Sequence, residues 1–194
     1  MDELTRLLLA AREGDRAALG EVVARSQPDI WRFCASLVGA DGADDATQDT
    51  YLRVWQSART FRAEASAKTW MLAVARRACA DALRQRARRP PPTDEAPAAP
   101  SGDPSGGVDL RELIGRLEPD RRSAFVLTQL LGLSYRETAE VCDCAIGTVR
   151  SRVARARADL AAELRADPAS GPGGLRADPM SAGPPTGPIE AATP

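Results

Sequence analysis

The sequence predicts an all-α protein built from two small helical domains joined by a flexible linker. Three observations carry this. Aromatic residues make up only 4% of the chain, and the abundant Ala, Leu and Arg favour helices over sheets. Apolar residues recur at helical spacing in two stretches, 1–89 and 108–166. Between them, residues 90–107 begin Pro90-Pro-Pro, continue in Pro, Gly, Ser and Ala, and show no hydrophobic period, as expected of a linker. The Pro/Gly-rich tail 167–194 is expected to be disordered.

Composition narrows the function. The 194 residues contain no histidine, so no His-based triad or general base exists. No Gly-rich phosphate loop precedes a helix. The expectation is therefore a non-enzyme with no catalytic residue, no cofactor and no small-molecule substrate. Net charge is −1, without the basic balance usual in a nucleic-acid binder. Weak binding to DNA alone follows, with a larger partner supplying affinity. Among the basic residues only Lys68 is not arginine. No stretch approaches the ~20 apolar residues of a membrane span. The acidic N-terminus and the short apolar run Leu7–Ala11 do not make a signal peptide. The chain is expected to be cytoplasmic and not membrane-embedded. Cys34, Cys79, Cys142 and Cys144 contain no C-x-x-C pair, so no metal site is expected. Cys142 and Cys144 suit small apolar filler, with a soft-metal or oxidant-sensing role as the other reading.

In chain order, Leu4, Leu7, Leu8 and Ala11 form a helical stripe that stops at Gly14. Asp15 caps a helix carrying Ala18, Leu19, Val22 and Val23, and a further apolar run spans Ile30–Val38 before Gly39. The next helix is 43–58. At about 100° per residue, Ala43, Thr47, Thr50, Val54 and Ala58 share its core face. Asp45, Gln48, Asp49 and Leu52 share the opposite face, with Trp55 at its edge. Apolar groups rimmed by carboxylates suggest a protein interface; a merely acidic helix with a partly packed Trp is the plainer reading. Residues 60–66 break the chain before a long helix over 67–89. Phe61 and Arg62 in the break, then Lys68, Arg76, Arg77, Arg84 and Arg86, are the cation and ring types that hold single-stranded nucleic acid. Trp70 fits the core better than a stacking role.

The linker acids Asp94, Glu95 and Asp103 suit either a channel built for nucleic acid or a solvated spacer. Fully extended, the linker spans roughly 60 Å. Beyond it, Val108–Leu117 and Pro119–Leu131 are two helices, with Pro119 at the first helical position. Ser134 and Glu137 form a capping box that opens a helix from Tyr135 to Val141. Cys142–Cys144 make a turn, and a second helix starts near Ala145, completing a helix-turn-helix. On that helix Ile146, Val149, Val153, Ala156, Leu160 and Leu164 face the core. Thr148, Ser151 and Arg155 face away, and Arg150 and Arg152 flank them. A polar, arginine-bearing face near a helix start suits a major-groove reader. Gly147 costs roughly 1 kcal/mol in helix propensity and permits close approach to a DNA backbone. Arg157, near the core edge, suits a structural partner. A solvated helix face is the other reading of these residues.

The stretch Gly147-Thr-Val-Arg-Ser-Arg-Val-Ala-Arg-Ala-Arg157 resembles the promoter −35 reading helix of extracytoplasmic-function (ECF, group IV) sigma factors of bacterial RNA polymerase. Leu127-Thr-Gln-Leu-Leu-Gly-Leu-Ser-Tyr135 resembles the actinobacterial sigma C type. Asp44-Asp-Ala-Thr-Gln-Asp-Thr-Tyr-Leu-Arg-Val-Trp55 resembles sigma region 2.2, which docks on the β′ clamp helices. Trp70-Met-Leu-Ala-Val-Ala-Arg-Arg-Ala-Cys-Ala-Asp-Ala-Leu-Arg84 resembles regions 2.3 and 2.4, which melt the −10 element. The resemblance covers about residues 1–165. It implies sigma region 2 over 1–89, for core docking and −10 recognition, and sigma region 4 over 108–166, for −35 recognition. Docking residues would be Asp45, Gln48, Asp49, Tyr51 and Trp55. The −10 residues would be Phe61, Arg62, Lys68, Arg76, Arg77 and Arg84; the −35 residues would be Thr148, Arg150, Ser151, Arg152 and Arg155. Partners would be core RNA polymerase (β′ clamp helices and β flap), promoter DNA and, as for many relatives, an anti-sigma factor. Asp49 stands where the family often has Glu, and Arg77 where many members have Asn. The rival class is a free-standing helix-turn-helix regulator, which would bind duplex DNA tightly without polymerase. No residue pattern says whether the two helical units pack on one another.

Overall fold

The computed structural model describes residues 1–88 and 110–166. The expected linker at 90–107 and tail at 167–194 lie outside the described residues. Among the described residues all regular structure is helical: α1 (Glu3–Arg12), α2 (Arg16–Val38), α3 (Ala40–Ser57), a short 3-10 turn (Ala58–Thr60), α4 (Ala67–Arg88), α5 (Leu110–Arg116), α6 (Pro119–Phe125) continuing into a π turn (Val126–Leu130), α7 (Tyr135–Cys142) and α8 (Ile146–Ala166).

Local chemistry fixes the first four helices. The Asp2 carboxylate caps α1, accepting from the Thr5 N–H at 2.9 Å and the Thr5 hydroxyl at 2.6 Å. The same hydroxyl accepts from the Ala67 N–H at 2.8 Å, which ties the start of α1 to the start of α4. The two segments expected on either side of Pro28 are one 23-residue helix. A proline inside a helix costs about 3 kcal/mol. Here Val22, Ser26, Ile30, Phe33 and Cys34 form one buried stripe that runs straight past it. Burying side chains such as Val22, Ile30 and Phe33 contributes roughly 1.5–3 kcal/mol each, which outweighs the defect. Gly39, at φ +86°, ends α2 and begins α3. Only glycine takes that conformation cheaply. It folds the chain back with no loop, so α3 starts at Ala40, earlier than the period suggests. Helix α2 packs against α1, α3 and α4, around fully buried Leu8, Ile30, Phe33, Val54, Met71 and Leu72.

In the second unit the Glu118 carboxylate caps α6 by accepting from the Asp120 and Arg121 N–H groups, with Pro119 at the first helical position. Gly132, at φ +72°, turns the chain toward α7. The Ser134–Glu137 capping box is formed in both directions. Asp143 adopts the left-handed conformation (φ 52°) that ends α7, and α8 follows. Buried Ala124, Ala139, Val149 and Val153 join α6, α7 and α8.

The two units are in contact with each other. Helix α6 packs on α2, and α7 packs on α4. Leu113, Ile114, Leu117, Leu131, Leu133 and Val141 belong to the same apolar cluster as Leu8, Phe33 and Met71.

Candidate nucleic-acid and polymerase interfaces

Helix α8 buries the middle of the face that its period predicts, whereas Ile146 and Leu164 at its two ends, also expected in the core, keep 41% and 44% exposure. Val149, Val153, Ala156 and Leu160 are buried. Arg150, Ser151 and Arg155 are exposed, and Thr148 is half-buried. The Ser151 hydroxyl donates to the Thr148 carbonyl at 2.9 Å. A Cβ added at Gly147 meets nothing within 4 Å, so internal packing does not demand glycine there. Arg152 is placed differently from its neighbours. Its guanidinium pairs with the Asp120 carboxylate and donates to the Cys144 sulfur at 3.5 Å. Arg157 donates to the Gln129 side-chain oxygen at 2.7 Å, the structural partnership its position suggests.

On α3 the core residues Ala43, Thr47, Thr50 and Val54 are buried, as is Ala58 just beyond its end. Asp45 and Gln48 are exposed, and Leu52 retains 56% exposure between them and Trp55. Asp49 pairs with Arg53 at 2.9 Å. Trp55 is half-buried and leans on the core. Tyr51, expected among the docking residues, is half-buried. Its hydroxyl sits 2.7 Å from that of Ser26 on α2, and burial raises its pKa. The ring fastens α3 to α2.

The cations of α4 and of the break before it divide into two groups. Arg62 and Arg77 are exposed, and Arg77 lines a shallow concavity with Arg53, Gln56, Ser57 and Val74. Arg84 pairs with Asp81, whose carboxyl is held below its usual range by Arg53 first and Arg84 second. Lys68 and Arg76 turn toward the second unit. Lys68 pairs with Asp29 at 2.8 Å and donates to the Leu131 carbonyl at 2.8 Å. Arg76 pairs with Asp120 at 3.0 Å. Phe61 does not form the open stacking platform expected of it. It is 3% exposed, with its ring centroid 5.0 Å from that of Trp70. The Arg12 guanidinium donates to the Phe61 carbonyl at 3.1 Å.

Asp120 was not among the residues singled out from the sequence. An acid in the first turn of a helix is ordinary complementation of the helix dipole, so nothing local marks it. Among the described residues no group of three or more His, Cys, Asp or Glu could hold a metal. Burial pushes the Cys142 thiol up to about 11, which keeps it protonated at neutral pH. Among the described residues no helix is long and apolar enough to cross a membrane.

A capped helix-turn-helix with arginines on the outer face of its second helix, beside a four-helix unit with an acidic and apolar outer face, defines a helical DNA-binding protein with a second docking surface. Known families agree with that class. The sigma-70 region 2 family matches residues 22–89, and the sigma-70, region 4 family matches residues 107–160. The chain is 44% identical over 177 residues to the ECF RNA polymerase sigma factor SigC of Mycobacterium tuberculosis, covering 88% of this chain and 96% of that one. It is 30% identical over 176 residues to the ECF RNA polymerase sigma-E factor of Escherichia coli, covering 80% and 92%. Among solved structures, CnrH in complex with the cytosolic domain of CnrY aligns with a TM-score of 0.67 at 26% identity, over 86% of this chain and 99% of that one. The sigma factor RpoE of Bartonella quintana, in complex with the anti-sigma factor NepR, aligns with a TM-score of 0.63 at 29% identity, over 77% and 98%.

The chain belongs to the ECF group of the sigma-70 family. It is an RNA polymerase sigma factor, a DNA-binding initiation factor that directs transcription to promoters, and the free-standing regulator is the less favoured reading.

Proposed function

We propose that three surfaces divide the work of initiation. The outer face of α3, with Asp45, Gln48, Asp49, Leu52 and Trp55, docks on the clamp helices of the β′ subunit. The exposed cations around the start and middle of α4, Arg62 and Arg77 first, hold the opened −10 strand. Thr148, Arg150, Ser151 and Arg155 on α8 read the −35 duplex, where arginine pairs bidentately with guanine or clamps a phosphate. The observation that carries the reading is the α8 surface. Two exposed arginines, Arg150 and Arg155, stand five residues apart on a helix whose first turn carries a glycine, Gly147, whose missing side chain serves no internal contact. The residues contribute binding and positioning while bond-making belongs to the polymerase, so the chain itself is not an enzyme. It works in the cytoplasm, where promoter and polymerase are. The anti-sigma complex of the Bartonella quintana neighbour supports an inhibitor of the same kind for this chain.

Footprinting of the complex of core polymerase, this chain and a promoter tests the division. Arg155→Ala removes protection at −35, whereas Asp45→Ala with Leu52→Ala removes all protection by weakening the holoenzyme. Loss of −35 protection in neither variant contradicts the assignment of α8.

A further inference from the structure

Helix α1 lies outside both stretches that match the sigma-70 regions, yet two of its side chains reach the break between α3 and α4. At the start of the break the Arg12 guanidinium donates to the Phe61 carbonyl at 3.1 Å. Glu13 holds the other edge of the same guanidinium, through Nε at 3.0 Å and Nη2 at 2.8 Å, which aims the remaining nitrogen at the break. At its end the Thr5 hydroxyl accepts from the Ala67 N–H at 2.8 Å and donates to the Asp2 carboxylate at 2.6 Å. Thr5 is 2% exposed and Ala67 is fully buried. Ala67 is the first residue of α4, so its N–H has no partner within its own helix. A buried donor there depends on a side chain 62 residues away.

Between the two anchors the chain takes an unfavourable shape. Ala63 has φ 56°, in the left-handed region that is costly for a residue with a Cβ. Its side chain packs against the core, while Arg62 and Glu64 on either side of it are exposed. A strained residue persists where its surroundings over-determine it. Here Phe61 is pinned through its carbonyl and its buried ring, and Ala67 through its N–H. Arg62 therefore stands on a loop fixed at both ends by a helix that supplies none of the cations assigned to DNA.

We propose that α1 is a clamp for the 61–66 loop, with Arg12 and Thr5 as positioning residues that preset Arg62 for the opened −10 strand. The inference rests on the −10 role proposed for Arg62. A preset loop binds without first being ordered. Apparent affinity falls by the fraction of molecules in the binding shape, so a released loop that keeps this shape about a tenth of the time loses about tenfold.

The test uses the full chain as Arg12→Ala and Thr5→Val, with Arg12→Lys and Thr5→Ser as the conservative variants that keep a donor and a hydroxyl at the two anchors. Without DNA, trypsin cleavage after Arg62, read by mass spectrometry, should speed up about tenfold in Arg12→Ala and Thr5→Val, because cleavage follows the population of the released loop. With core polymerase, binding of the single non-template strand of a promoter fragment that the wild type transcribes should weaken about tenfold in the same two variants. Both readouts should recover in the conservative pair. Core affinity and protection of the −35 duplex should stay at wild-type levels in Arg12→Ala, which a merely structural role would not allow. Parallel loss of core binding, −35 protection and strand binding in Arg12→Ala overturns the proposal, and so does unchanged cleavage in both Arg12→Ala and Thr5→Val. Faster cleavage with unchanged strand binding overturns it as well when Arg62→Ala does weaken that binding. If Arg62→Ala also leaves strand binding unchanged, the failure lies in the −10 role of Arg62, and the proposal falls with it.

Discussion

The hydroxyls of Tyr51 and Ser26 lie 2.7 Å apart between α3 and α2, and the Ser26 hydroxyl is itself 2.6 Å from the Val22 carbonyl. This chain of bonds sits beneath the docking face and separates residues that hold α3 in place from residues that it displays. Tyr51→Phe should lower stability by about 1 kcal/mol, the usual net worth of one such bond, and leave polymerase affinity near wild type. Thermal melts and a core-binding titration check this. A large loss of binding with unchanged stability would assign the Tyr51 hydroxyl to the docking surface.

Leu52 gives the opposite expectation. It is 56% exposed and supports nothing beneath it, so Leu52→Ala should leave the melting temperature unchanged. At the centre of a protein interface its truncation should cost about 1–2 kcal/mol of polymerase binding. A competition titration against a labelled sigma factor measures it.

Arg155→Ala should weaken promoter-specific initiation by ~1–3 kcal/mol, the discrimination carried by one good base contact. Core binding should stay intact. Comparison of transcript yield with holoenzyme formation separates the two.

Gly147→Ala should act on stability and function in opposite directions. The added Cβ meets no atom within 4 Å, and Ala improves a helical position by up to ~1 kcal/mol. The melting temperature should rise slightly, while −35 recognition falls as the methyl group meets DNA. An increase in both would remove the glycine from the reading surface.

The Glu137 carboxylate accepts from the Ser134 N–H at 2.8 Å and from its hydroxyl at 2.7 Å. Those bonds, the hydroxyl first, hold its pKa below the ordinary glutamate value. A carboxyl with a lowered folded pKa contributes stability that is full above its unfolded value and is lost as pH falls through the folded one. Wild type should therefore exceed Glu137→Gln in stability at neutral pH, and the gap should close on acidification below the ordinary glutamate range. Urea melts over a pH series measure it.

Features set by neighbours in the chain were legible in the sequence. The Ser134–Glu137 box, the buried stripe of α8 and the inner face of α3 each depend on residues within one or two helical turns. What was not legible depends on distant partners. Pro28 marks no break because a stripe on both sides of it is buried. Phe61 is buried against Trp70 on the next helix. Arg76 and Arg152 look like free cations until the fold brings Asp120 between them, 44 and 32 residues away in the chain. The helices and their outward faces were thus readable from local period and capping. The distribution of cations between DNA and internal partners was not.

Run-off transcription tests the central claim most directly. Core RNA polymerase from a related bacterium is given a pool of promoter fragments, with and without this chain, and the same DNA is offered to the chain alone. Transcripts that require the chain, together with weak binding of DNA by the chain alone, are the predicted result. Tight binding by the chain alone, with no transcript added to core polymerase, would contradict it.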